Sequence, residues 1–243
     1  MPKDNISADE IVINDSDVIH IKNVLRLNIG NEIQLCDGRG MNYNCQISKM
    51  HDKEIICTIL DRKKADTEPP IEVTLYQGIP KASKMDYIIQ KTTELGIAKI
   101  VPCIMSRCVS KIENAKDAQK KCERWQKIAR EAAKQSGRGI IPVISEPVRF
   151  SQAVTMMKSD AVYFAPYECE EKNTLCEVLK SDKKVNSISY IIGPEGGFDL
   201  DEVELLRENK ITTVTLGKRI LRCETAGEAV LAMIMYELGD INR

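Results

Sequence analysis

Apolar positions change rhythm near residue 70 of this 243-residue chain. Before that point they come in short runs. Residues 32–36, 44–47 and 54–60 read as extended segments, separated by the turn signals Asn28-Ile29-Gly30-Asn31 and Asp37-Gly38-Arg39-Gly40. Short strands joined by tight turns predict a small β-barrel over residues 1–70. Residues 61–70, charged and ending in Pro69-Pro70, read as a linker.

From residue 71 to 243 the pattern becomes strand, helix, strand. Residues 73–76, 100–105, 161–165, 188–192 and 211–216 form short, nearly continuous apolar runs. Between and after them, helical spacing spans 84–95, 115–136, 151–158, 173–180, 200–209 and 224–238. The helix at 84–95 sets Met85, Ile88, Ile89, Thr92 and Leu95 on one face, and Gly96 stops it. Apolar strands alternating with helices predict an α/β domain whose parallel sheet is covered on both faces. Residues 229–236 are apolar around almost the whole helix, so this segment must be buried, within a core or against a partner.

Charge adds one feature. The net charge is only -1, yet basic residues outnumber acidic ones at least two to one between 81 and 138. Lys120, Arg124, Lys127, Glu131, Lys134 and Arg138 recur at spacings of three and four, a stripe about 80° wide on a helix. Trp125, Ile128, Ala129 and Ala132 fall on another side and should pack inward. Such a stripe suits a phosphate backbone, with a solvated helix face as the alternative. No apolar run is long enough to span a bilayer, and residues 1–10 are polar with three acids, so a signal peptide is not expected and the cytoplasm is. The nine cysteines form no CxxC and only His20 and His51 could join them, so reduced, mostly buried thiols are expected rather than a metal site.

Two segments are candidates for chemistry. Gly193-Pro194-Glu195-Gly196-Gly197-Phe198 follows a buried strand, and Leu216-Gly217-Lys218-Arg219-Ile220-Leu221-Arg222-Cys223-Glu224-Thr225-Ala226 runs from a strand end into a helix. In a parallel sheet, loops at the strand carboxyl ends form the ligand crevice. Neither segment is a phosphate loop or a dinucleotide fingerprint. Glu195 would repel phosphate, whereas an adenine edge read by backbone groups, with a cationic sulfonium nearby, fits. A plain turn remains the alternative for the first segment alone.

Together these two segments resemble the signature of the RsmE family of 16S ribosomal RNA uridine-N3 methyltransferases, within the SPOUT superfamily. Residues 20–30 with Asp37-Gly38 resemble that family's PUA-like RNA-binding barrel. Residues 84–96, Ser106-Arg107, Arg124-Trp125 and 131–138 match in the same order. One departure is Cys223, where the family usually carries Thr.

The resemblance implies a C-terminal trefoil-knot domain, although strand–helix alternation alone predicts an unknotted sheet. It implies S-adenosyl-L-methionine as cofactor, held by Tyr167, Glu168, Gly193, Pro194, Glu195, Gly196, Gly197, Leu216, Gly217, Ile220, Leu221 and Arg222. It also implies a homodimer acting on 16S rRNA within the assembled small subunit. Arg222 is then a candidate for stabilising charge on the uracil carbonyls, and Glu224 for orienting the base or accepting its proton. A mutual Arg222–Glu224 pair that merely braces the loop is the alternative. Arg26, Lys84, Arg107, Arg124, Lys127, Lys134 and Arg138 are candidates for RNA contact, while His20 reads as structural. A rival for the whole chain is a non-catalytic RNA-binding assembly factor of the same fold. A nucleotide-dependent enzyme is disfavoured, because the glycine loop lacks a following Lys and Ser/Thr.

Overall fold

The computed structural model describes residues 5–14, 16–180 and 185–242. The polar start of the chain therefore falls partly outside the described residues, at 1–4. Two compact units result, one of residues 1–68 with 137–140, the other of 69–136 with 141–243.

The first unit is an antiparallel sheet of β1 (Glu10–Asn14), β2 (Glu32–Cys36), β3 (Met41–Met50) and β4 (Glu54–Lys64) in the order β1-β4-β3-β2. A helical turn, α1 (Ser16–Ile19), continues into a wider turn at His20–Val24. Period-two alternation sends Ile11, Ile13, Cys45, Ile47, Ile55 and Cys57 to one face, where Val18 and Ile21 close the core. The linker expected at 61–70 begins as strand instead: Asp61–Lys64 pair with Met41–Asn44, extending β4. Charge misled that reading, because an exposed strand end is as polar as a linker.

Residues 137–140 complete this unit. Gly139 has Ala65 where its own Cβ would lie, 2.0 Å away, so no larger residue fits. Gly139 O accepts from Gly40 N at 2.9 Å, and Ile140 N donates to Glu68 Oε1 at 3.0 Å. Arg138 is 7% exposed and ion-pairs with Glu68 at 2.6 Å. The expectation that Arg138 contacts RNA is thereby corrected: its guanidinium is spent inside the protein.

The second unit carries a parallel sheet of β5 (Glu72–Gly78), β6 (Lys99–Ile104), β7 (Val143–Ile144), β8 (Val148–Arg149), β9 (Val162–Pro166), β10 (Ser187–Ile192) and β11 (Thr212–Val214). Its order is β11-β9-β10-β5-β6-β7, with β8 also on β6. Helices α2 (Lys84–Glu94), α3 (Ala115–Gln135), α4 (Phe150–Met157), α5 (Leu175–Leu179), α6 (Leu200–Glu208) and α7 (Cys223–Glu237) cover it. Val73, Leu75, Ile100, Phe164, Ile188 and Tyr190 point to one face, among residues of α2, α3, α5 and α7. Tyr76, Val101, Cys103, Ala165 and Ile191 point to the other, among residues of α4 and α6. Burial on both faces is why these strands read as continuous apolar runs.

Helix ends follow local chemistry. Asn114 caps α3 by accepting from Asp117 N at 3.0 Å, and Asp199 with Glu202 forms a reciprocal capping box on α6. Gly96, at φ +95°, ends α2. The stripe on α3 is exposed from Lys120 to Lys134, while Trp125, Ala129 and Ala132 are buried. In α7, Val230, Leu231, Ile234 and Met235 are buried, whereas Met233 and Tyr236 are exposed. All nine cysteines are free; Cys45, Cys57, Cys103 and Cys223 are buried, but Cys169 and Cys176 are exposed.

Truncating one member of a buried ion pair strands its partner. Arg138→Ala should therefore cost about 3 kcal/mol in urea unfolding. The double variant Arg138→Met with Glu68→Leu should recover much of that loss.

Candidate active site

Parallel strands all end on one edge of the sheet, so the segments that follow β5, β6, β9, β10 and β11 gather there. Residues 193–198 leave β10 in a tight turn closed by Gly197 N donating to Pro194 O at 2.9 Å. A Cβ on Gly78, at the end of β5, would lie 2.6 Å from Pro194 N; one on Gly193 would lie 3.0 Å from Gly197 C. Gly197, at φ +67°, has the Glu168 carboxylate 2.7 Å from where its Cβ would be. Backbone packed this closely excludes side chains and leaves peptide groups to face a ligand.

Neighbouring segments brace the turn. Arg107 Nη1 donates to Gly196 O at 2.9 Å, and its Nε pairs with Asp199 at 3.3 Å. The Tyr167 ring meets Phe198 edge-on at 6.3 Å, and Tyr167 N donates to Val214 O. Glu170 accepts from Thr213 Oγ1 at 2.5 Å and from the backbone N–H groups of Glu171, Lys172 and Asn173. The Thr213 hydroxyl first, and those N–H groups with it, hold the Glu170 carboxyl down to about 2.

One cation joins the two candidate segments. Lys84 Nζ lies 3.2 Å from Glu195 Oε1 and 3.3 Å from Glu224 Oε2. Lys81 N donates to Glu195 Oε1 at 3.0 Å, and Cys223 Sγ donates to Glu224 Oε2 at 3.1 Å. Burial opposes ionisation of both glutamates, but these hydrogen bonds outweigh it and keep both carboxyls below the ordinary range. Burial and the adjacent Glu224 push the Cys223 thiol up to about 12, so it stays a neutral donor.

Arg222 precedes the first turn of α7; its carbonyl accepts from Ala226 N, while its side chain is exposed and, among the described residues, meets no carboxylate. The mutual Arg222–Glu224 brace is not formed. Gly217 sits at φ +97°, Leu216 and Leu221 are half-buried against the core, and Ile220 is 86% exposed. Tyr190 Oη donates to Gly227 O at 2.8 Å and anchors α7 to the sheet.

The RNA candidates separate. Lys84 and Arg107 belong to the loop cluster. Arg124 pairs with Asp86 of α2, while Lys127 and Lys134 are exposed on α3. Lys127 borders a groove of about 700 Å³ between α2 and α3, with Tyr87, Gln90, Glu131 and Gln135. In the other unit, Arg26, at φ +53°, lines a shallow hollow with Lys22 and Asn28. Sequence reading missed Lys81, Glu170 and Asp199 as bracing groups. Their partners lie 114, 43 and 92 residues away, and no local signal marks such pairs.

Comparison with known proteins bears on this site. A family model described as RNA methyltransferase domain matches residues 67–235, and one described as RNA methyltransferase PUA domain matches 13–60. The ribosomal RNA small subunit methyltransferase E of Bacillus subtilis is 36% identical over 234 residues, covering 95% of this chain and 91% of the relative. Its namesake from Aquifex aeolicus is 31% identical over 226 residues, covering 93% of each. The crystal structure of a ribosomal RNA small subunit methyltransferase E from Neisseria gonorrhoeae bound to S-adenosyl methionine superposes with a TM-score of 0.87. It is 31% identical, with 99% of this chain and 97% of that one covered.

Two outcomes test the geometry. Gly197→Ala should lower stability by about 1–2 kcal/mol, because a side chain is strained at positive φ and meets the Glu168 carboxylate; a urea titration measures it. Glu170 stabilises the loop when ionised, so its contribution is complete above the ordinary value of 4.5 and is lost as pH falls from there through about 2. Glu170→Gln should flatten the acid limb of stability against pH over that window.

Proposed function

The chain belongs to the ribosomal RNA small subunit methyltransferase E family, and on that premise we propose that it methylates N3 of an unpaired uridine in 16S rRNA. It is an S-adenosyl-L-methionine-dependent RNA methyltransferase. The observation that carries the reading is the meeting of the 193–198 turn and the Leu216–Glu224 segment through Lys84. The residues fit the cofactor: close-set glycine backbone suits an adenine edge, and the carboxylates of Glu168 and Glu195 suit a sulfonium rather than a phosphate. Tyr167, Gly193, Pro194, Gly196, Gly197, Leu216, Gly217, Ile220, Leu221 and Arg222 complete the cofactor group in this reading.

When bound, the cofactor supplies a methyl group made electrophilic by its sulfonium. The chain's own residues must make N3 a nucleophile. N3 lies on the pairing edge, so the uridine has to be unpaired or flipped to reach the site. Glu224, kept ionised, would accept the N3 proton and so leave N3 able to take the methyl group. Arg222, with its exposed guanidinium, stabilises charge that builds on the uracil carbonyls. Holding the base and methyl in line supplies a further share of the acceleration.

The 16S rRNA is engaged along α3, where Lys127 and Lys134 follow Arg124 on one stripe, with Arg26 as a contact in the other unit. Lys84 and Arg107 contact the RNA from within the loop cluster in this reading. Exposed Met233 and Tyr236 on α7 support a homodimer that covers this face, with the assembled small subunit in the cytoplasm as substrate. The trefoil knot belongs to the same reading, formed where the segments after β9, β10 and β11 converge.

Arg222→Ala should lower kcat by about 10²-fold or more with SAM affinity within a few-fold by calorimetry; wild-type turnover would remove its assigned role. Replacing Arg124, Lys127 and Lys134 together by Gln should reduce the slope of log K against log salt by about 2 for a single-stranded contact. An unchanged slope would count against the stripe. Mass mapping of rRNA nucleosides with and without the protein decides the methylated atom.

A further inference from the structure

We propose that Lys84 is a positioning residue of the methyl transfer: its ammonium fixes the Glu224 carboxylate as proton acceptor by tying it to Glu195 of the cofactor turn. This rests on the methyltransferase reading and on Glu224 as the acceptor.

Four observations carry it. The ammonium is within 3.3 Å of both carboxylates, so one charge sets the separation of two loops that lie about thirty residues apart in sequence. Lys84 is the first residue of α2, where the positive end of the helix dipole disfavours a cation. Ser83, the preceding cap residue, makes no side-chain cap hydrogen bond, so no hydroxyl cap offsets the cation there. Ala82 adopts φ +50°, a left-handed conformation costly for a residue with a Cβ. That strained turn presents Lys81 N–H to Glu195, three residues before the Lys84 side chain reaches the same oxygen. Strain of this kind persists where surrounding contacts demand a geometry.

The arrangement answers a chemical need. A carboxylate that accepts a proton from a ring nitrogen must be ionised and must not swing away from the base. Groups around Glu224 are Lys84 from α2, Glu195 from the turn, and Cys223 and Glu228 from α7. Lys84 is the cation among these; the Cys223 thiol donates but carries no charge, and Glu195 and Glu228 would push the Glu224 proton affinity up. Without Lys84, Glu224 would face two acids and would protonate at higher pH.

The test is steady-state methylation of 16S rRNA by Lys84→Met and Lys84→Arg across pH, with SAM calorimetry and thermal melts on the same proteins. Lys84→Met is expected to lower kcat by at least tenfold, to move the acid limb of kcat against pH upward, and to change SAM affinity less than kcat. Lys84→Arg, whose guanidinium can still bridge two carboxylates, should restore most of kcat and the wild-type acid limb. Should the methionine variant not fold, Lys84→Gln carries the same comparison. A folded neutral variant whose acid limb stays in place, or whose kcat is within twofold of wild type, overturns the proposal. A wild-type protein that binds SAM yet methylates no RNA overturns the functional reading instead, so the two failures are distinct.

Discussion

Burial of both faces of the parallel sheet is the constraint on which the catalytic unit depends. It demands apolar side chains at Val73, Leu75 and Tyr76 of β5 and at most positions of β6, β9 and β10, and it forces helices to return each strand in the same direction. All carboxyl ends then lie on one edge. The candidate site lies at that edge, where the loops that follow the strands bring backbone groups together. The dense apolar interior and the glycine-rich rim are consequences of a single packing requirement.

At the rim, the chemistry is one of close approach and compensated charge. Gly78, Gly193 and Gly197 let backbone segments come within distances no side chain would allow. Carboxylates gathered in such a place would repel one another, and cations from distant segments offset them: Lys84 for Glu195 and Glu224, Arg107 for Asp199. Arg222 is left exposed by this arrangement. Arg138, by contrast, is buried and paired to Glu68.

The α3 surface shows the same division. Its inner face follows from helical spacing, with Trp125, Ala129 and Ala132 buried. On its outer face Lys127 and Lys134 are exposed, and Arg124 is tied to Asp86 of α2. A cationic stripe in sequence is therefore an upper bound on the charge a polyanion would meet.

Local pattern alone determined most elements of this protein. Helical periodicity marked α2, α3 and α7 to within about a residue, since an amphipathic or wholly apolar helix writes its burial directly into its spacing. The glycine-rich turn and the Leu216–Glu224 segment were legible as loops at strand ends because Gly and Pro shape the backbone locally. What tertiary structure decided was pairing across long separations. The charged tail of β4 became strand only because Met41–Asn44 lay beside it, and residues 137–140 joined the first unit through Gly139 and Ala65. Whether Glu224 would meet Arg222 or Lys84 depended on where α2 begins relative to the sheet edge, and ionic contact carries no periodicity that a sequence could reveal.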